Sequence, residues 1–532
     1  MNDVRYRNSL MKWVSAVLGV SFAWSGLAAL VTDLGLNFTG SVYGTDSYSR
    51  PADGNGVIGP RHFVEFINGR FSVYSKTNAA RVQTMTDLAF WNGAGVTFAS
   101  GVEISDPRLI YDRATHRWFA AMVDFLRSDE SHNRFLLAVS ATDDPTGTWQ
   151  GEGFLVDPVN GDFGDFPTLG LDANGVYLAA QIFSGVTGNP IGNTLVAIPK
   201  ADLLANPPIF TNRTSFGTMS TTSRGDILQP VVNFDPSATK GCVLAVGDLG
   251  YDFQPHSNLV AFAVLDAANP GSAALDGSAF LAIPSYEVPI NPPQPDGSSN
   301  LDDGDARLGA TVSQVADVLY AVHSIQAGAR ASIRWYRVRA SDCALLESGT
   351  ITHTNLDLFY PSIAANGQGA VVIGCNGSSA TSFVSSYVLI GETVNGSTTF
   401  GDPILLRSGT ASYQAPSFGV SRWGDYSATS VDPNDPTRFW TLQMVPTGTT
   451  QWSTRITELW VRPLVLSVAI SNASLVLSWP ASAAGFHLES TSVLPATDSW
   501  TPVTEGLSTN NAVVSVSVPV AVRNEFYRLN QP

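Results

Sequence analysis

The sequence has little positive charge and few charged residues of any kind. Its 532 residues include only four lysines, and 29 Lys and Arg stand against 45 Asp and Glu, which gives a formal net charge of −16. Because nucleic-acid binding needs a basic surface, this composition excludes nucleic acid as an expected partner. Charged residues make up 14% of the chain and hydrophobic residues 44%, a balance that excludes intrinsic disorder. An acidic, lysine-poor surface is typical of a soluble extracellular protein or of one that collects divalent cations.

Several motifs of familiar enzymes are also missing. The seven histidines form no HxH or HExxH spacing, and there is no P-loop and no Ser-His-Asp elbow, so serine-hydrolase and nucleotide chemistry are disfavoured. The three cysteines, Cys242, Cys343 and Cys375, contain no CxxC pair, which makes zinc binding improbable. The three cysteines form either one disulfide with one spare thiol or three free thiols. The sequence spacing does not distinguish between these two states.

The first thirty residues have the pattern of a secretory signal. Arg5, Arg7 and Lys12 form a basic start, residues 13–24 are apolar, and Ala28 ends a run of small residues suited to cleavage. We therefore predict a signal peptide over residues 1–28. A membrane anchor is the alternative, although the apolar stretch is shorter than the ~20 residues that a span needs. No later segment reaches that length, so the mature chain is expected to have no transmembrane span.

The 47 Gly and 31 Pro interrupt any long helix and favour short strands joined by turns. A strand-turn-strand unit recurs six times, with successive first residues 59, 61, 79, 55 and 65 positions apart. These first residues, which we call the anchors, are Asp106, Asp165, Asp226, Asp305, Tyr360 and Asp425. A further half-unit begins at His62. The repeats predict an all-β fold, namely a β-propeller over residues 29–462 with seven blades or six. A propeller fits because radial stacking of the blades buries the apolar faces of successive sheets. A pair of β-sandwiches or a β-helix is the alternative.

Composition changes near residue 463. The remaining residues, 463–532, alternate between polar and apolar with period two, as in the segment from Ser474 to Trp479. This pattern predicts a small antiparallel β-sandwich of the immunoglobulin or fibronectin kind. Its hydrophobic core is expected to contain Trp479, Trp500 and Phe526.

Two segments of the chain carry a family resemblance. Asp106-Pro-Arg, Tyr111-Asp112, Arg117-Trp118-Phe119 and the run from Ser140 to Trp149 resemble the sialidase-like, Asp-box type of secreted bacterial β-propeller over roughly residues 60–462. The box departs from the family pattern by an extra residue between Asp144 and Gly147. The resemblance implies a structural turn in which Asp144 accepts backbone hydrogen bonds and Trp149 packs between sheets. The last 70 residues are similar to the short C-terminal sandwich of exported bacterial proteins, which implies an attachment role and a secreted or cell-surface location in a bacterium.

In a propeller, equivalent residues of the repeats converge on one mouth of the central channel, so the anchors are expected to form an acidic ring. Carboxylates brought this close repel one another unless they are protonated, paired with arginines or bridged by a cation, and Ca²⁺ is the expected cation. The candidate metal ligands are Asp226, Asp302, Asp303 and Asp305. A solvated loop is the alternative reading of the Asp302-Asp303 segment.

Arginines and aromatic residues near the anchors predict a ligand site. The candidate ligand-binding residues are Arg108, Arg224, Arg307, Arg422 and Trp423, whose guanidinium groups are suited to a carboxylated or sulfated sugar. The aromatic pairs Phe90-Trp91 and Trp335-Tyr336 are further candidates for glycan contact. In the alternative, Asp and Arg of adjacent inner strands simply pair and brace the ring.

Two functions follow from this pattern. The first is a secreted or cell-surface monomer that binds an extracellular polymer, a glycan, through the channel face. The second is a glycan-active hydrolase or lyase in which Asp106, Asp165 and Asp425 supply acid and base and Tyr360 or Tyr426 acts as a nucleophile in the sialidase manner. No Glu stands among the anchors, and fold analogy cannot decide between the two.

Overall fold

The computed structural model describes residues 30–127, 129–417, 419–471, 474–483, 485–494, 499–510, 513–519 and 525–530. The predicted signal peptide, residues 1–28, lies outside the described residues.

Seven antiparallel sheets, blades 1 to 7, follow one another along the chain. After a first strand β1 (Leu30–Val42), blade 1 contains β2 (Asn55–Ile58), β3 (His62–Ile67), β4 (Arg70–Ser75) and β5 (Arg81–Met85). Blade 2 contains β6 (Glu103–Asp112), β7 (Arg117–Leu126), β8 (Asp129–Ser140) and β9 (Trp149–Leu155). Blade 3 contains β10 (Phe163–Leu171), β11 (Gly175–Phe183), β12 (Pro190–Pro199) and β13 (Thr214–Ser215).

Of the later blades, blades 4 and 6 carry a fifth strand. Blade 4 contains β14 (Asp226–Pro230), β15 (Gly241–Val246), β16 (His256–Leu265), β17 (Ala274–Leu275) and β18 (Ala279–Tyr286). Blade 5 contains β19 (Ser313–Val315), β20 (Val318–Ala327), β21 (Arg330–Arg339) and β22 (Leu345–Ile351). Blade 6 contains β23 (Asp357–Ala365), β24 (Ala370–Ser379), β25 (Ser382–Val394), β26 (Ser397–Phe400) and β27 (Ile404–Arg407), and the ribbon β28 (Pro416–Ser417) and β29 (Val420–Ser421) follows it. Blade 7 contains β30 (Ala428–Val431), β31 (Arg438–Gly448) and β32 (Gln451–Pro463). The described helices are α1 (Asp87–Gly93), α2 (Lys200–Leu203), α3 (Thr221–Arg224) and a 3₁₀ turn at Pro295–Gly297.

The ring is closed by the first strand. β1 pairs antiparallel with β32 and becomes the outermost strand of blade 7. Buried Glu65 of blade 1 locks this closure, because its carboxylate accepts hydrogen bonds from Ser41 Oγ (2.7 Å), Tyr74 Oη (2.8 Å) and Thr454 Oγ1. The innermost strands of blades 1 and 7, β2 and β30, are in contact, so the ring is complete. The prediction of a seven-bladed propeller is confirmed.

The core lies between the blades. Phe119 and Leu137 of blade 2 pack against Leu178 and Val196 of blade 3 in one buried cluster, and similar clusters fill the other inter-blade spaces. Burying both faces of each sheet accounts for the apolar run in every repeat. At Gly170 the inner strands β10 and β14 approach so closely that there is no room for a side chain: a Cβ there would lie 2.3 Å from the Pro230 carbonyl oxygen.

The expected Asp144 turn is present between β8 and β9. Asp144 Oδ1 accepts hydrogen bonds from the Thr146 backbone N–H (3.0 Å) and hydroxyl (2.7 Å). Trp149 is buried against the ring of Phe90, with the centroids 5.1 Å apart. Both residues therefore have the structural role expected of them.

Two further sheets follow blade 7. One contains β33 (Ser467–Ser471), β34 (Ser474–Pro480), β37 (Leu507–Asn510) and β38 (Val513–Pro519), and the other contains β35 (His487–Thr491), β36 (Thr501–Pro502) and β39 (Phe526–Asn530). Trp479 and Leu488, one from each sheet, share a buried cluster, as expected for a sandwich. Trp500 and Phe526 are only half-buried, and the Arg528 guanidinium lies 4.4 Å from the centroid of the Trp500 ring.

All three cysteines are free thiols in this structure. Among the described residues, no helix combines the length and the apolar character needed to cross a membrane.

Candidate functional site

The first residues of four inner strands share one irregularity. In β6, β10, β14 and β23 the pairing with the next strand skips two residues, and the first of the two has a positive φ. These bulge residues are Asp106 (66°), Phe166 (54°), Ile227 (52°) and Tyr360 (46°). All four bulges lie near the starts of inner strands, so they occur at the same end of the ring, and a bulge of this kind redirects the side chains beside it.

This geometry corrects the predicted register. Asp106 and Tyr360 occupy the bulge position itself, but Asp165 and Asp226 precede it by one residue. Asp305 and Asp425 lie in loops ahead of β19 and β30. The anchors are therefore not equivalent, because a pattern read with period two does not reveal a bulge that changes the count by one.

The anchors nevertheless lie close enough to influence one another electrostatically. Each carboxyl among them interacts with another carboxyl or with an arginine of the group. We call this group the mouth cluster; its members are Asp53, Asp106, Asp165, Asp226, Asp302, Asp303, Asp305, Asp425, Arg108, Arg307, Arg422, Tyr360 and Tyr426.

Two arginines of the mouth cluster are held by bidentate pairing with carboxylates. Arg422 Nη1 and Nη2 each donate to Asp425 at 2.6 Å, and Nη1 also reaches Asp302 at 3.3 Å. Arg307 Nε and Nη2 donate to Asp305 at 2.7 and 2.6 Å. Pairing with arginines, one of the expected ways to relieve the carboxylate crowding, is therefore present in the structure.

The third arginine is held differently. Arg108 donates to the carbonyl oxygens of Pro167 (2.7 Å) and Gly309 (3.0 Å), and its guanidinium lies 3.7 Å from the centroid of the Tyr426 ring. Its Nη2 atom is buried and makes no hydrogen bond in the structure. Arg108 therefore links β6 to β10 and to the loop that precedes β19.

The two tyrosines differ in their partners. Tyr426 Oη donates to Asp106 Oδ2 at 2.6 Å, and both residues are buried, Tyr426 with 5% of its surface exposed. Tyr360 Oη is buried without a hydrogen-bond partner in the structure. Burial, strengthened by nearby carboxylates, raises the pKa of both phenols well above the ordinary value.

Burial also dominates the titration of the carboxyls. It raises the pKa of Asp165 to about 7, helped by the negative charge of Asp106, and that of Asp226 to about 6. The pKa values of Asp53 and Asp106 are raised by burial and by repulsion from Asp425. The mouth therefore holds carboxyls that exchange protons near neutral pH.

Asp305 is the exception. Burial acts to raise its pKa, but the Arg307 charge and hydrogen bonds outweigh burial, so the pKa is lowered. Asp303 has no such partner: it is buried, accepts from Ser324 Oγ at 3.0 Å, and burial raises its pKa well above the usual range.

Some predicted ligand-binding residues do not reach the mouth. Trp423 is 1% exposed and donates from Nε1 to Asn376 Oδ1 at 3.0 Å, so it packs in the core. Arg224 ends the short helix α3, donates to the Asp276 carbonyl oxygen at 2.7 Å, and covers the Phe262 ring of blade 4. The other aromatic candidates for glycan contact are also buried: Phe90, Trp91, Trp335 and Tyr336.

The predicted metal ligands do not form a cation site. Within the described ranges, the single group of three His, Cys, Asp or Glu residues with ligand atoms within 4.8 Å of one another is Asp248, Asp252 and His256, outside the mouth cluster. Asp226, Asp302, Asp303 and Asp305 do not form such a group. In addition, Arg307 and Arg422 already compensate the negative charges of Asp305 and Asp302. The residues do not fit the expected Ca²⁺.

One member of the mouth cluster was not predicted from the sequence. Asp53, in the loop before β2, is buried and accepts from the Asp425 backbone N–H (3.0 Å) and from Asn68 Nδ2 (2.7 Å). Asn68 in turn accepts from the Asp106 backbone N–H at 2.8 Å. The only sequence signal for Asp53 was a turn-forming Asp-Gly pair ahead of the first half-unit.

The rest of the channel is less polar. Below the mouth, the later halves of the inner strands enclose a cavity of about 130 Å³, lined by Ile110, Val232, Ile363 and Val431 among others. The titratable groups are therefore concentrated at one end of the channel.

Comparisons with known proteins add little beyond the fold. No family model matches the chain, and no curated protein matches it significantly. A protein of unknown function from Dyadobacter fermentans is 11% identical, and the match covers 68% of this chain and all of that one with a TM-score of 0.33. A Trypanosoma rangeli sialidase is 11% identical over 66% of this chain and 54% of its own, with a TM-score of 0.31. An endo-arabinase from Bacteroides thetaiotaomicron is 12% identical over 68% and 94%, with a TM-score of 0.28. Similarities this weak say nothing about function, and the propeller assignment rests on the sheet pairing.

Proposed function

We propose that this protein is a secreted or cell-surface propeller that binds a neutral glycan at the mouth cluster. The observation that carries the proposal is the position of Asp165 and Asp226: both are only half-buried at the mouth, and in the described ion pairs the nearby arginines bind other carboxylates. Burial raises their pKa values to about 7 and 6, so each carboxyl has a proton-donating and a proton-accepting form near neutral pH. Sugar hydroxyls also donate and accept, so they match such groups.

The charge balance favours a neutral ligand over an acidic one. The mouth cluster contains eight carboxyls and three arginines. The guanidinium forks of Arg307 and Arg422 are occupied by Asp305 and Asp425, so neither is free to grip a carboxylate or sulfate on a sugar. An anionic ligand would have to displace these carboxylates and meet the remaining ones. We therefore replace the expected carboxylated or sulfated sugar with an uncharged one.

Glycan binding by variants tests this proposal. The purified protein is screened on an array of neutral and acidic glycans, and the affinity for the best ligand is measured for wild type, Asp165→Asn and Asp402→Asn. Asp402 is an exposed residue outside the mouth cluster, so its variant controls for the same loss of charge. We expect Asp165→Asn to weaken binding about tenfold, which corresponds to loss of one good hydrogen bond, and Asp402→Asn to bind normally. No binding to any glycan, or equal binding by both variants, would contradict the proposal.

A second candidate is a glycan-active hydrolase. The short hydrogen bond from Tyr426 to Asp106 and the near-neutral pKa of Asp165 supply the kinds of groups that such a mechanism uses. The burial of Tyr426 weighs against it, because a nucleophile must reach the sugar carbon. Turnover of aryl glycosides that is lost in both Asp106→Asn and Asp425→Asn, with folding intact, would favour the enzyme.

The location and the terminal sheets are part of the proposal. The signal pattern of residues 1–28 and the acidic composition support export, and N-terminal sequencing of protein from the culture medium should find a start near residue 29. We assign the sheets from β33 to β39 an attachment role. If these sheets attach the chain to the cell surface, the full-length protein should be found on cells, and protein truncated after residue 462 should be found in the medium.

A further inference from the structure

A second recess lies beside the mouth cluster. It is a cleft of about 940 Å³ between the proline-rich residues 288–300 and the ends of blades 5 and 6. Its lining includes Phe253, Asn291, Asn300, Gln326, Asn355 and Arg330. Pockets that hold small organic ligands have volumes of about 300–1,000 Å³, so this cleft has room for several linked rings.

The wall of the cleft is joined to the mouth cluster by hydrogen bonds. Asn291, which lines the cleft, accepts a hydrogen bond at Oδ1 from the backbone N–H of Asp303 (3.1 Å), a member of the mouth cluster. The loop that carries Phe253 is also tied to the mouth, because Tyr251 Oη donates to Asp305 Oδ2 at 2.6 Å. These two hydrogen bonds place the wall of the cleft directly against residues of the mouth cluster.

Phe253 is displayed to solvent by a braced loop. Its surface is 75% exposed although it lines the cleft, and its positive φ of 55° is held by a hydrogen bond from its N–H to the Gly250 carbonyl oxygen (2.9 Å). Tyr286 Oη fixes the start of the loop by donating to the Asp248 carbonyl oxygen at 2.7 Å. A single exposed aromatic needs no explanation, but one held at the edge of a cleft by such bonds offers a flat apolar face to a ligand.

The polar lining selects an uncharged ligand. Asn291, Asn300, Gln326 and Asn355 carry amide groups, which both donate and accept hydrogen bonds. The charge of Arg330 is neutralised by Asp357, whose Oδ2 lies 2.8 Å from Arg330 Nη1. A ligand with apolar ring faces and hydroxyl edges fits this combination of aromatic face and amides.

We infer that the cleft holds additional sugar units of a neutral polysaccharide whose first contact is at the mouth cluster. This inference rests on the proposed function and extends it from a single sugar site to recognition of a chain. It requires affinity to rise with the number of linked sugars. Phe253 should contribute to that rise and not to the binding of the shortest ligand.

The test compares ligand length with a matched pair of variants. Affinities for unbranched β-glucan, xylan and α-glucan oligosaccharides, from disaccharide to octasaccharide, are measured by calorimetry for wild type, Phe253→Ala and Phe280→Ala. Phe280 is 57% exposed on β18 of the same blade and does not line the cleft, so it controls for loss of an exposed phenyl ring.

We expect at least about tenfold tighter binding of the longest than of the shortest ligand of one series, as burial of an aromatic face would give. Phe253→Ala should abolish this gain and leave the shortest ligand unaffected, while Phe280→Ala behaves as wild type. Binding of short ligands without a length effect, or a length effect that persists in Phe253→Ala, would refute sugar binding in the cleft. Either result would still be consistent with glycan binding at the mouth cluster. Absence of binding to every oligosaccharide would overturn the proposed function together with this inference.

Discussion

Asp165→Asn is expected to stabilise the folded protein at alkaline pH. The side chain of an unfolded Asp has a pKa of about 3.9, whereas burial and the nearby Asp106 raise that of Asp165 to about 7. Below about pH 3 the carboxyl is protonated in both states and has no effect on stability. As pH rises towards 7 the unfolded state loses its proton first, so the free energy of unfolding falls, and above pH 7 the loss stays constant.

The magnitude follows from the same two values. Each tenfold difference between the two acid constants is worth roughly 1–1.5 kcal/mol, so the ionised Asp165 lowers the free energy of unfolding by about 4 kcal/mol at pH 8 and by about 1–2 kcal/mol at pH 5. Asparagine does not ionise, so the stability of Asp165→Asn relative to wild type should increase by about 2–3 kcal/mol between pH 5 and pH 8.

Urea denaturation of wild type, Asp165→Asn and Asp402→Asn at both pH values measures this difference. Comparing the two pH values removes any constant effect of exchanging a carboxyl for an amide. The exposed control Asp402→Asn should track wild type at both. If the stability of Asp165→Asn relative to wild type were the same at pH 5 and pH 8, the pKa of Asp165 would not be raised in the folded protein. That result would contradict the electrostatic crowding at the mouth.

Three further predictions concern the ring and its mouth. Arg307→Met leaves Asp305 buried without its partner and should lower the free energy of unfolding by about 3–5 kcal/mol; the double variant with Asp305→Leu should recover most of that loss in urea denaturation at pH 7, and failure to recover would show that the pairing is not the cause. Glu65→Ala removes the acceptor that ties β1 to blade 1, so its urea midpoint should fall by an amount equivalent to about 2–4 kcal/mol, whereas Glu103→Ala, which removes an exposed pair with Arg127, should cost at most about 1 kcal/mol. Tyr426→Phe removes the donor to Asp106 and should lower stability by about 1–3 kcal/mol; an unchanged thermal midpoint would contradict the hydrogen bond.

The blade count was predictable because each blade repeats the same local pattern. A strand that begins at an Asx or Tyr anchor, turns and returns in antiparallel pairing uses only neighbouring residues, as β6 and β7 do. The closure of the ring was not predictable in this way. β1 pairs with β32 more than 400 residues away, and its sequence has no mark that distinguishes it from any other strand.

The candidate site was predictable in part for a related reason. Asp106, Asp165 and Asp425 were found because they stand next to recurring strands, but Asp53 precedes a strand of only four residues and belongs to no anchor pattern. Trp423 was assigned to the ligand because it neighbours Arg422, although adjacent residues near a strand end point to opposite sides, and its ring lies in the core.

Binding of a neutral glycan at the mouth is tested most directly by a crystal structure of the protein with a bound neutral oligosaccharide. We expect sugar hydroxyls within hydrogen-bond distance of Asp165 and further rings running past Phe253. A sugar bound on the outer edge of a blade or on the C-terminal sheets, with only solvent at the mouth, would contradict this expectation.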